Sequence, residues 1–74
     1  MAYIVGRCLL PDLLKKARMS QVELAAKLGV TVQQINKYVI NKQKMSLQVA
    51  KNIAAILNCN IEDLYEWIEV GNNE

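Results

Sequence analysis

The sequence contains no histidine, one proline, three glycines and two cysteines. Without histidine there is neither an imidazole general base nor the usual zinc ligand set, and nothing implies a metal or a cofactor. Cys8 and Cys59 stand far apart and form no C-x-x-C pair. Isolated cysteines of this kind read as buried thiols of a cytoplasmic protein rather than as a disulfide. The stretch Met1–Arg7 lacks both a charged n-region and a long apolar run, so no export signal is expected. No apolar run approaches the roughly eighteen residues needed to span a membrane. Scarce glycine and proline favour an all-α domain whose helix ends are marked by capping residues instead.

At 74 residues the chain is one small domain, 53% hydrophobic and 22% charged, the balance of a globular core-former. A chain this short buries only about 60% of its unfolded surface, so its stability is modest. The net charge of +2 hides a segregation. Residues 13–51 hold eight basic side chains (Lys15, Lys16, Arg18, Lys27, Lys37, Lys42, Lys44 and Lys51) and the single acid Glu23, a net +7. Residues 52–74 hold five acids, Glu62, Asp63, Glu66, Glu69 and Glu74, and no base. Arg7 and Asp12 cancel.

Capping signals divide the chain into five expected helices. Pro11 and Asp12 suit the first turn of helix one, and Leu13, Leu14 and Ala17 supply its apolar side. Ser20 and Glu23 have the spacing of a capping box, opening helix two, and Gly29 suits the left-handed position that closes it after Leu28. Thr31 and Gln34 suggest another box, opening helix three, which runs to about Ile40 with Asn41 as a left-handed cap. Ser46 caps helix four, where Leu47, Ala50, Ile53, Ala54 and Leu57 recur at helical spacing and Asn58 closes. Asn60 and Asp63 open a fifth, with Ile61, Leu64, Tyr65 and Ile68 on one stripe. Residues 1–9 are then an N-terminal arm, 10–70 the domain and 71–74 a frayed tail.

Residues 21–40 read as a helix-turn-helix. Leu24, Leu28, Val30, Ile35 and Tyr38 are apolar where the pair faces a core, Ala25 is small where the helices cross, and Gly29 supplies positive φ in the turn. The bland alternative is an ordinary helical hairpin in some other bundle.

These residues resemble the phage-repressor-like DNA-binding domains of the Cro/CI (XRE-like) type. The likeness covers residues 10–67 and rests on Ser20-Gln21-x-Glu23-Leu24-Ala25, Leu28-Gly29-Val30-Thr31 and Ile35-Asn36-x-Tyr38. Met45-Ser46-Leu47 with Ala50, Ile53, Ala54 and Leu57 extends it. The resemblance implies a compact five-helix bundle of the lambda-repressor-like type whose third helix reads DNA. Two departures stand out. An ion pair common in the family becomes Leu14 with Val39, an exchange that is often neutral or stabilising, and the family's glycine after helix three is Asn41.

The resemblance further implies that Val32, Gln33, Asn36 and Lys37 face base edges in the major groove. Gln33 has the chemistry to pair with adenine, Lys37 with guanine, and Val32 to touch a thymine methyl; Gln34 serves as a cap. Gln21 would bond a phosphate beside free N–H groups at the start of helix two, and Asn41, Lys42 and Lys44 would grip the backbone of the other strand. The expected partner is an inverted-repeat operator in double-stranded DNA bound by a homodimer, with half-site centres about 34 Å apart. Tyr3, Ile4, Val5 and Trp67 are candidate dimer contacts, with intramolecular packing the alternative for Tyr3–Val5. The implied function is a transcriptional regulator, most simply a repressor. The alternative is a protein-interaction module of antitoxin or anti-repressor type, although the +7 segment favours nucleic acid. No activated nucleophile, Gly-rich phosphate loop or histidine supports an enzyme.

Overall fold

The computed structural model describes residues 2–71. Its elements in order are strand β1 (Ala2–Cys8), helices α1 (Leu10–Ala17), α2 (Gln21–Leu28), α3 (Val32–Val39) and α4 (Leu47–Leu57), a 3-10 turn (Ile61–Leu64) and strand β2 (Tyr65–Val70). Four helices carry the core, and β1 and β2 form a two-stranded antiparallel ribbon. The expectation of an all-α, five-helix bundle is corrected accordingly.

The caps act largely as their residue types dictate. Ser20 Oγ accepts from the Glu23 N–H at 3.0 Å while Glu23 Oε1 accepts from the Ser20 N–H at 2.9 Å, a complete capping box. Gly29 closes α2 at φ +82°. Thr31 Oγ1 accepts from the Gln34 N–H at 3.2 Å, but the Gln34 amide reaches Gln43 Oε1 at 3.3 Å instead of turning back on the cap, so the second box is half made. Ser46 Oγ accepts from the Val49 N–H at 3.1 Å, and Asn58 ends α4 at φ 57°. Asn41 follows α3 at φ 62°.

The fifth helix is where local periodicity misleads. Asp63 Oδ2 does accept from the Asn60 N–H at 2.9 Å, so the start signal is genuine. The segment then completes only a 3-10 turn, and Tyr65 leaves it in extended geometry (φ −136°, ψ 152°). Four of the next six residues, Tyr65, Trp67, Ile68 and Val70, are β-branched or aromatic and favour a pleated surface. A partner strand from the other end of the chain pairs Ala2 with Val70, Tyr3 with Glu69, Ile4 with Ile68 and Val5 with Trp67, with an irregularity before Cys8 meets Tyr65. The segment expected as an N-terminal arm is thus the other half of this ribbon. The expected frayed tail lies, apart from Gly71, outside the described residues.

The core gathers one stripe from each helix. Leu10 and Leu14 of α1, Leu24 and Ala25 of α2, Ile35 and Tyr38 of α3, and Ala50, Ile53 and Ala54 of α4 are all buried, joined by Cys8, Leu64 and Tyr65. Leu14 is buried and Val39 is half-buried against the same cluster, so both positions belong to the apolar core. Among the described residues no charged side chain is buried, and the buried side chains are aliphatic apart from the Cys8 thiol and the Tyr38 and Tyr65 phenols, so the core holds no desolvated charge. Cys8 and Cys59 are free thiols, the first buried and the second half-buried. Burial raises both thiol pKa values, with the Asp63 carboxylate adding to the rise at Cys59.

The ribbon is tied to the helical body at its root. Leu9 N–H donates to the Leu64 carbonyl at 2.8 Å, the Met45 N–H donates to the Tyr65 hydroxyl oxygen at 3.0 Å, and the Trp67 indole N–H donates to the Glu62 carbonyl at 3.0 Å. The last two bonds reach a loop and a turn outside the sheet, so the ribbon's position relative to α3 and α4 is set by side-chain chemistry as well as packing.

Candidate nucleic-acid interface

Helix α3 divides its residues between two faces. Ile35 and Tyr38 point into the core and are fully buried or nearly so, whereas Gln33, Asn36 and Lys37 are exposed. Residues 33, 36, 37 and 40 recur at the three- and four-residue spacing of one helix face. Among the described residues no other element covers that face, while the two buried positions anchor α3 on its opposite side, where it meets α2 and α1.

The structure brings six of the eight sequence-predicted DNA contacts into one shallow concavity. Val32, Gln33, Asn36 and Lys37 line it from α3, Gln21 from the start of α2 and Lys42 from the turn after α3. The helix-turn-helix accounts for the convergence. The left-handed Gly29 reverses the chain within a few residues, so the first turn of α2 is carried alongside the outer face of α3. The box on Ser20 satisfies the Glu23 N–H, while the N–H groups of the residues just before it lie in the first turn, where a helix has no internal acceptors to offer. Those donors and the positive end of the helix dipole favour an anion beside Gln21.

The remaining two predicted contacts lie elsewhere. The Asn41 amide donates toward the Gly6 carbonyl of β1 at 3.5 Å, so it faces the ribbon. Lys44 borders a separate cleft with Val5, Met45, Leu47 and Trp67. The concavity also contains Ile40, which is 59% exposed. Sequence reasoning placed Ile40 only at the end of helix three; its spacing of seven from Gln33 and four from Asn36 was the signal that puts it on the outer face. Of the candidate dimer contacts, Tyr3, Ile4 and Trp67 are exposed on the ribbon and Val5 is half-buried.

Chemically, this surface offers amide donors and acceptors, two ammonium groups and apolar methyls on a convex helix about 10–12 Å across, a width that suits a major groove about 12 Å wide. Among the described residues no group of His, Cys, Asp or Glu could hold a metal ion, and no helix is long and apolar enough to cross a membrane.

Comparison with known proteins points the same way. The model of the Cro/C1-type HTH DNA-binding domain matches residues 10–69. The SPbeta prophage-derived HTH-type transcriptional regulator YopS of Bacillus subtilis (strain 168) is 44% identical over 64 residues, spanning 85% of this chain and 86% of that protein. The crystal structure of the transcriptional regulator VanUg superposes with a TM-score of 0.69 at 28% identity, covering 92% of this chain and 89% of that one. Both the helical core and the exposed face of α3 fall within the matched residues. The chain belongs to the Cro/C1-type helix-turn-helix family of DNA-binding transcriptional regulators.

Proposed function

We propose that the protein is a cytoplasmic repressor that occupies an inverted-repeat operator as a homodimer and so blocks transcription. The observation that carries this is the convergence of Gln21, Gln33, Asn36, Lys37 and Lys42 in one concavity on a helix locked by Ile35 and Tyr38. In this reading Gln33 pairs with adenine N6 and N7, Lys37 donates to guanine O6 and N7, and Val32 touches a thymine methyl, while Asn36 completes the base-facing set. Gln21 and Lys42 bond phosphates on either side of the groove. Asn41 and Lys44 reach the backbone only if their side chains swing from the ribbon and from the cleft they border.

One domain of this size covers a single half-site, which is why specific binding calls for two copies. With about four phosphates neutralised per copy, log affinity falls with log salt at a slope of roughly −7 for the dimer. Selection of binding sites from random duplex DNA, followed by salt titration on the winning sequence, tests the proposal. An enriched two-fold symmetric motif with a steep negative slope is expected. No enrichment, or binding indifferent to salt, would overturn it.

A further inference from the structure

Ile40 is the apolar side chain that the concavity on α3 leaves most open. It is 59% exposed, whereas Val32, at the other end of the same surface, is half-buried. Exposed apolar residues scattered singly need no partner. Ile40 is placed differently, because it shares its concavity with Gln33, Asn36, Lys37 and Lys42, and no carboxylate lines it. Each of those neighbours offers a polar or charged group to DNA. Ile40 offers only methyl and methylene groups.

The backbone around Ile40 is firmly held. Its N–H donates to the Asn36 carbonyl at 3.0 Å, and the N–H groups of Lys42 and Gln43 both donate to the Lys37 carbonyl, at 2.9 and 3.2 Å. Asn41, in left-handed geometry at φ 62°, turns the chain between them. The turn sets Lys42 beside Ile40 in the concavity and leaves Ile40 uncovered. A β-branched side chain on a fixed backbone has little rotamer freedom to lose when a ligand meets it.

We propose that Ile40 is a further specificity-determining residue, reading the 5-methyl group of a thymine in the major groove; this rests on the DNA reading above. Of the four bases only thymine presents a methyl on its major-groove edge, and the others present hydrogen-bonding groups alone. Isoleucine pressed on one of those edges shuts water from a donor or acceptor without replacing it, which costs free energy. The preference thus has two sources, a methyl buried and a polar edge avoided. Phosphate contact is left to Lys42, whose ammonium suits it.

Spacing locates the thymine. Seven residues separate Ile40 from Gln33, about 10 Å along a helix axis, and successive base pairs lie about 3.4 Å apart. The thymine therefore falls within about three base pairs of the base that Gln33 reads. Val32 is about 12 Å from Ile40 along the helix, so the two meet different thymines.

The test takes the methyl away from the DNA. On the operator selected from random duplexes, each thymine of one half-site is replaced in turn by deoxyuridine, which keeps every hydrogen bond of the base. Binding is measured for the full chain as wild type, Ile40→Ala and Ile40→Val. At one thymine inside the stated span the wild type should weaken by about three- to fivefold, the contribution of one buried methyl. Ile40→Val should keep most of that sensitivity. Ile40→Ala should bind the original operator less tightly and lose its response at that thymine alone. Circular dichroism should be the same for all three, because Ile40 lies outside the core. An Ile40→Ala variant that still responds to every uracil as the wild type does would overturn the proposal, and so would uniform weakening on all sequences, the mark of a sugar–phosphate contact. A wild type indifferent to every uracil within that span would overturn it without any variant. These results leave the DNA reading standing, whereas a selection that enriches no sequence would refute that reading and this proposal with it.

Discussion

Gly29→Ala isolates the backbone requirement of the turn between α2 and α3. Gly29 adopts φ +82°, and a Cβ built there would meet nothing within 4 Å. Any penalty is therefore conformational and not steric. A non-glycine residue in the left-handed region costs about 1–2 kcal/mol, offset in part by about 0.4–1 kcal/mol from the stiffer unfolded chain. The net is a loss of about 1 kcal/mol, which for a domain of this size lowers Tm by roughly 4–8 °C. Gly29→Asn should lose about half as much, because asparagine tolerates this conformation and already holds it here at Asn41 and Asn58. Urea and thermal unfolding followed by circular dichroism measure both. An alanine variant as stable as the wild type would refute the strain argument. A loss above about 3 kcal/mol would be too large for backbone strain alone and would mean that the added methyl collides.

Other outcomes follow from the same contacts. Arg18 holds φ 55° at the end of α1, so Arg18→Gly should stabilise the fold by up to about 1 kcal/mol in the same unfolding assay. Ile53→Ala, at a position with 0% exposure, should cost about 2–5 kcal/mol, enough to leave much of so small a domain unfolded at 37 °C by circular dichroism. Ser20→Ala removes one bond of the complete box and should cost about 1 kcal/mol in urea melts, whereas Gln34→Ala, whose side chain does not return to its cap, should change stability by less than about 0.5 kcal/mol. Burial raises the thiol pKa of both cysteines, so both should react with a disulfide reagent at pH 8 more slowly than a free thiol, and the more exposed Cys59 ahead of Cys8.

What was legible in the sequence was local. The caps at Ser20, Gly29, Thr31, Ser46 and Asn58 each depend on one side chain and a few neighbouring backbone groups, and a short window contains all the physics. The exposed side of α3 follows locally from Ile35 and Tyr38, which mark its inner face, whereas the base-facing roles of Val32, Gln33, Asn36 and Lys37 rest on the family resemblance. The last segment was not. Ile61, Leu64, Tyr65 and Ile68 match a helical stripe, yet Tyr65–Val70 also suits a strand, and the choice is made by β1 at the opposite end of the chain. No local pattern reports a partner so distant. Asn41 and Lys44 diverge from the other contacts because the α3–α4 connection turns toward the ribbon, whose existence the helical stripe had concealed. Ile40 is hard to read from sequence because it lies just past the last turn of α3, where an apolar residue can turn either to the core or outward.

Whether α3 reads bases is decided by measuring the affinity of the wild type and Gln33→Ala for the selected operator and for every single-base replacement within it. The wild type should lose about 1–3 kcal/mol when the adenine facing Gln33 is replaced. The variant should be weaker on the original operator and indifferent to the base at that one position, with all other preferences kept. Uniform weakening across every sequence, with the preference at each position intact, would show that Gln33 only supports the helix and would contradict recognition through this face.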